Sequence, residues 1–196
     1  MEYNKASEFI INKVKNELPE YLKYHSYNHV MDVLDAAVNL AKLEGIQEYE
    51  CLLLKIAVLY HDAGFIKQTN EHEKIGCEIA QETLPQFGFT SEEINQICGM
   101  IMATKIPQSP NNLLEQIICD ADLDYLGRDD FWKIGNNLYH ELKIYGVLNN
   151  EKDWNRLQLK FLTSHNYFTT SAIKLRQGKK NEHIEKIMQI VSTYLD

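Results

Sequence analysis

Three short stretches carry residues whose types could do chemistry together. "VLYHDAGF" ends an apolar run on His61 and Asp62 side by side. A carboxylate at the end of a buried element must be neutralised, hydrogen-bonded or coordinated, because burying it alone is costly. Neutral imidazole and ionised carboxylate both suit divalent Zn, Mn, Fe and similar ions, but two ligands are too few. Further donors are available in "KYHSYNHVMDVLDAAVNLA", with His25 and His29, and in "EQIICDADLDYLGRDDF", with Asp120, Asp122 and Asp124. His29 shares a helical face with Val33 and Ala37, so it points with the buried stripe. Taken alone, a histidine there also reads as a core or capping residue. Asp122 follows Ile118 by one turn and adjoins Leu114, Ile117 and Ala121, which makes it the inward aspartate. Asp120 and Asp124 share a face with Gln116 and are expected to be solvated or to support the site from behind.

The elements that position these residues are helices, since apolar residues recur at three and four positions nearly everywhere and strict alternation is almost absent. The pattern predicts helices over Glu2 to Leu18, Tyr27 to Glu44, Glu48 to His61, Glu71 to Phe87, Ser91 to Ala103, Asn112 to Leu126, Arg128 to Tyr145, Lys152 to Phe168 and Lys180 to Tyr194. A short helix is expected around Ser171 to Arg176. Thr90 or Ser91 is placed to cap a helix, and Gly45, Gly64, Gly88 and Gly178 sit where helices should stop. "CLLLKIAVLY" is apolar on nearly every side except at Lys55, so its helix belongs at the centre of a bundle. The fold class is therefore all-α.

The 196 residues suit one domain, and no repeat or Pro/Gly/Ser linker divides them. A formal charge of -8 argues against a protein that wraps a nucleic-acid polymer, an affinity that comes from Lys and Arg on phosphates. No apolar stretch approaches a membrane span, and "MEYNKASEF" lacks the basic flank and apolar run of a signal peptide, so no membrane partner and a cytoplasmic location are expected. The four cysteines, 51, 77, 98 and 119, are widely spaced and read as reduced thiols packed as small hydrophobes. His140, His165 and His183 belong to no motif, and the aromatic residues of the last third, Trp154 and Phe161 among them, read first as packing and second as walls of a pocket over a nucleobase.

A histidine, an adjacent His-Asp pair and a distant aspartate, in that order and on helices, resemble the HD superfamily of metal-dependent phosphohydrolases. "YHSYNH" is similar to the YHNxxH signature of cyclic-nucleotide phosphodiesterases, and "DADLDYLG" to the DADxLxxLG segment of many small bacterial members. The likeness runs from about Tyr24 to about Arg128, with the helices from about 129 to 196 packing on that core. It implies a helical bundle holding one divalent ion, of Mn, Mg, Fe, Co, Ni or Zn, through His29, His61, Asp62 and Asp122. It further implies cleavage of a phosphomonoester or phosphodiester bond in a small phosphorylated substrate, a nucleotide being one candidate, by metal-activated water.

In the phosphodiesterase-like signature His25 resembles the acid that protonates the leaving group, its other reading being a surface or capping histidine. Asp62 or Asp122 would orient the attacking water. In the "H-x-x-x-G" setting of His72 and Gly76 the family places either a second metal or a contact to the substrate phosphate, and Thr104 stands where many relatives carry a further histidine. That substitution counts against a two-metal site and against iron-oxygenase chemistry. Lys67, Lys105 and Arg128 are candidates for phosphate contact, each with a solvated reading beside it. A homodimer is compatible with the sequence, and the competing non-enzymatic reading is a metal- or nucleotide-binding sensor that docks a partner.

Overall fold

The computed structural model describes residues 1–194. Nine α-helices follow one another among the described residues: α1 Tyr3–Glu17, α2 Tyr27–Leu43, α3 Glu48–Tyr60, α4 His72–Thr83, α5 Ser91–Ala103, α6 Leu113–Asp122, α7 Phe131–Ile144, α8 Glu151–Ser164 and α9 Thr170–Ser192. Short 3-10 turns at Ala63–Ile66, Leu84–Phe87 and Asp124–Gly127 continue α3, α4 and α6 in tighter winding. No strand occurs among the described residues, and no helix among them is long and apolar enough to cross a membrane. The architecture is an all-α bundle.

Local chemistry accounts for most of the starts. Side chains of Ser26, Asn112, Asn150 and Thr169 accept a backbone N–H in the first turn of α2, α6, α8 and α9. Thr90 and Glu93 form a reciprocal capping box on α5. α3 is the hub: Leu53, Leu54, Ile56, Ala57, Val58 and Leu59 are essentially inaccessible, and the helix packs on α1, α2, α4, α5 and α6. Burial of each large aliphatic there contributes about 1.5–3 kcal/mol, which holds the end of α3, and so His61 and Asp62, in a fixed place.

A second, smaller core gathers Leu123, Tyr125 and Leu126 with Phe131 of α7, Leu162 of α8 and Ile187 of α9. α9 lies against the 3-10 turn Asp124–Gly127 so closely that a Cβ on Gly127 would stand 2.4 Å from the Arg176 carbonyl oxygen. Four expectations from sequence need correction here. Gly178 does not stop a helix: α9 begins at Thr170, absorbs the short helix expected at 171–176 and runs on to Ser192. Glycine in a helix interior costs about 1 kcal/mol, and the packing of Ala172, Lys180, His183 and Ile187 on one side outweighs it. Gly64 lies inside a 3-10 turn, where a Cβ would be 1.9 Å from the His72 carbonyl oxygen, so its role is to let α4 start against the turn. The third correction is that α4 and α6 pass into 3-10 turns at Leu84 and after Asp122, earlier than the periodicity implied. The fourth is that α7 starts at Phe131 and α8 stops at Ser164, inside the stretches expected to be helical.

Candidate metal centre

Ser26 begins the site. Its hydroxyl accepts from the His29 amide and so starts α2 with His25 just outside the helix and His29 in its first turn. His61 follows the last residue of α3, and its Nδ1 lies 2.6 Å from the Val58 carbonyl oxygen. That bond places a proton on Nδ1 and turns the lone pair of Nε2 into the site. Asp122 is the last residue of α6, which packs on α2.

Four donor atoms from these elements converge. His29 Nε2 is 3.2 Å from Asp122 Oδ1 and 3.5 Å from Asp62 Oδ2, and His61 Nε2 is 3.3 Å from Asp62 Oδ2 and 3.6 Å from Asp122 Oδ1. His61 Nε2 and Asp62 Oδ2 are buried and have no hydrogen-bond partner, their short separation notwithstanding. Bonds of about 2.0–2.2 Å to a common ion set neighbouring ligand atoms roughly 3–3.5 Å apart, which is close to the spacing of the four imidazole–carboxylate pairs; donor atoms of His29, His61 and Asp122 all lie within 4.8 Å of one another, and Asp62 joins that group through the two histidines. Burial opposes ionisation of His61 and Asp62 alike. The charges of Asp62 and Asp122 nonetheless hold His61 well above the ordinary histidine value, while His61 and its neighbours hold Asp62 well below the carboxylate range. A buried carboxylate, Asp62, and a half-buried one, Asp122, facing two imidazoles require compensating positive charge, from a proton or from a cation. The donor set therefore fits a divalent ion.

Around this cluster lies a cavity of about 350 Å³. His25 faces it, with its ring stacked on Phe65 at 4.1 Å. Glu141 of α7, fully buried, accepts from the backbone amides of Tyr24 and His25 and pairs through Oε1 with His25 Nδ1. Burial would lower the His25 pKa, but the bond to Glu141 and the charge of Asp62 outweigh it and raise His25 above its usual value. His72 also faces the cavity; its Nδ1 lies 3.1 Å from the Thr69 carbonyl oxygen and its Nε2 is 3.6 Å from Asp62 Oδ1. Thr104 is buried at the cavity wall, where its hydroxyl donates to the Ile101 carbonyl.

Other candidates fall elsewhere. Lys67 and Lys105 are exposed and do not line the cavity. Arg128 is held by Asp32, Asp124 and Asp130 at 2.7–3.5 Å, so its charge is already spent on carboxylates that tie α2 to the 3-10 turn. Asp120 and Asp124 are not solvated. Asp120 is inaccessible and accepts from Phe168 N, Thr169 N and Thr169 Oγ1, while Asp124 pairs with Arg176. Asp122 is the most accessible of the three and lines the cavity. The thiols of all four cysteines are free; Cys77 and Cys119 are buried and Cys51 and Cys98 half-buried. Glu141 escaped the sequence reading. The signal for it is a carboxylate in the stripe Ile134, Leu138, Glu141, Tyr145, where three- and four-residue spacing calls for an apolar side chain.

Comparison with known proteins bears on this geometry. The family model described as HD domain matches residues 26–124. Among solved structures, a predicted HD superfamily hydrolase from an uncultured Thermotogales bacterium superposes with a TM-score of 0.63 at 20% identity, over 94% of this chain and 91% of that one. Bacillus subtilis YpgQ in complex with ADP gives 0.66 at 17%, over 99% and 97%. A Lactobacillus plantarum protein gives 0.68 at 16%, over 99% and 100%. At these identities the likeness is one of fold. Comparison with curated proteins gives no match.

Proposed function

The chain belongs to the HD domain family, and from that premise we propose that it is a metal-dependent phosphohydrolase that cleaves a phosphomonoester or phosphodiester bond in a small phosphorylated substrate. The observation that carries the reading is the meeting of His29, His61, Asp62 and Asp122, with His61 Nε2 and Asp62 Oδ2 buried and unpartnered beside a cavity. Those four side chains would hold the ion. The chemistry such an ion supplies is Lewis acidity, which makes water nucleophilic near neutral pH and draws charge from a phosphoryl group.

The remaining tasks fall to the chain's own groups. His25 is fixed by Glu141 through Nδ1, so Nε2 is the position from which its proton can be delivered to the leaving oxygen. The bond to Glu141 raises its pKa, which favours the protonated form that a general acid needs. Asp62 Oδ1 and Asp122 reach the cavity edge and can accept a proton from the attacking water. His72 stands beside His25, the two rings 6.1 Å apart and each against Phe65, placed to contact a phosphoryl oxygen. The complex of YpgQ with ADP supports a phosphorylated small molecule as the ligand class of this fold.

The test is hydrolysis of p-nitrophenyl phosphate, bis-p-nitrophenyl phosphate and a nucleotide panel by purified protein with Mn, Co, Ni, Mg or Fe, beside an Asp62→Ala control. Turnover that requires added metal and vanishes in the control is the expected result. No turnover with any pairing of metal and substrate would remove the enzymatic reading.

A further inference from the structure

The cavity beside the metal centre has walls that come from outside the segment matched by the family model. Leu138 and Leu142 of α7 and Trp154, Leu157 and Phe161 of α8 make it apolar, and no lysine or arginine occurs among the described residues that line it. Gln158 of α8 breaks the pattern. The residue lines this cavity and a second one shared by α7, α8 and α9, it is only 6% exposed, and its Oε1 is buried without a hydrogen-bond partner. Across from it, Gly135 of α7 has no side chain to offer; a Cβ there would stand 2.9 Å from Gln158 Nε2 and 3.6 Å from Trp154 Cζ2. The missing side chain makes the room that the carboxamide and the indole occupy. A buried carbonyl oxygen left unpaired is destabilising, where a leucine would fit the same wall at no such cost.

We propose that Gln158 is the specificity-determining residue of this site, its Oε1 accepting from an N–H donor on a planar, heteroaromatic body of a phosphomonoester seated between α7 and α8. Each part of that description follows from one feature of the wall. Aromatic and aliphatic side chains take a planar body by stacking and burial. An unpartnered acceptor selects a donor. The lining has no lysine or arginine, so the groups that can balance a phosphate, the ion and His25, are confined to the metal end, and the phosphate seats there. The inference rests on the phosphohydrolase reading for that phosphate.

The experiment compares matched ligands that differ by one donor: adenosine with purine riboside 5′-monophosphate, and uridine with N3-methyluridine 5′-monophosphate. In the wild type at least one pair is expected to differ about tenfold or more in kcat/KM in favour of the donor. In Gln158→Leu that ratio should collapse to about one, and Gly135→Ala, whose methyl displaces the carboxamide, should reduce it in the same direction. A wild type indifferent to both pairs would overturn the inference, as would a preference that survives Gln158→Leu; if that variant does not fold, a preference retained in Gly135→Ala decides against it. If the wild type turns over no phosphate ester at all, the hydrolase reading falls separately. Calorimetric affinities for the same pairs, with Mn²⁺ present, then test the role of Gln158 by the same ratios.

Discussion

Glu141 and His25, 116 residues apart in the chain, meet as a carboxylate and an imidazole at the edge of the candidate metal centre, with the backbone amides of Tyr24 and His25 bound to the same carboxylate. A buried anion fixed in this way does two things for the histidine. It sets the ring orientation and it favours the protonated form.

Glu141→Gln should therefore leave the metal bound and lower turnover by about 10–100-fold. The anion raises the His25 pKa; removing it lowers that pKa, so the alkaline limb of the pH–rate profile, on which the acid is lost, should move to lower pH. His25→Ala should also retain metal, and the double variant should cost little more than either single one, since the two groups act as a unit. Elemental analysis beside pH–rate profiles checks all three outcomes.

Loss of one converging donor should be more severe than loss of the acid. His61→Ala and Asp62→Ala are expected to purify without metal. Added Mn²⁺ or Ni²⁺ should raise the wild-type melting temperature, by the equivalent of about 2.7 kcal/mol at a hundredfold excess over Kd, and should leave both variants unmoved. Full metal occupancy in the Asp62 variant would refute the ligand assignment.

Asp120 is a stability residue. Asp120→Ala strands three donors, Phe168 N, Thr169 N and Thr169 Oγ1, which it now binds at 2.7–2.8 Å. The expected loss is about 3 kcal/mol, or roughly 6–12 °C in melting temperature for a chain of this size. Thermal unfolding measures it directly.

His165 supplies an acid-sensitive element away from the metal centre. Burial, helped by the nearby Lys180 charge, depresses its pKa from 6.5 to about 4. A base whose folded pKa is depressed is neutral in the fold and takes up a proton on unfolding. Its contribution is complete above pH 6.5 and is lost as pH falls toward 4, by about 2–3 kcal/mol. Urea titrations at pH 7 and pH 4.5 should show that loss in the wild type and a smaller one in His165→Asn, whose side-chain oxygen can accept from Lys180 as Nδ1 does now.

The bundle is legible where hydrophobic spacing and caps agree, as in α2 and α5, and in α3, which has no side-chain cap, from its long apolar run; all three match the periodicity within a residue. α9 is not legible, because its buried face includes Lys180 and His183 and because Gly178 imitates a stop signal. His61 and Asp62 stand out by type and order, His29 and Asp122 read as ligands only through the HD resemblance, and the fold brings the four side chains close together. For Asp124 the solvated alternative fails for a physical reason: the backbone leaves α-helical winding at Asp122, so a face drawn at 3.6 residues per turn no longer applies two residues on. The phosphate contacts suggested for Lys67, Lys105 and Arg128 rested on charge and proximity in sequence. Neither says that the lysines point to solvent or that three aspartates already surround the arginine.

The clamp of α9 on the turn after Asp122 has a consequence for how the protein matures on the ribosome. All four converging side chains have been translated by position 122, yet the turn that holds the last of them is braced by Arg176 and by the helix beginning at Thr170. A nascent chain therefore carries the complete motif well before it carries a rigid one, and the centre stiffens only when the final helix docks.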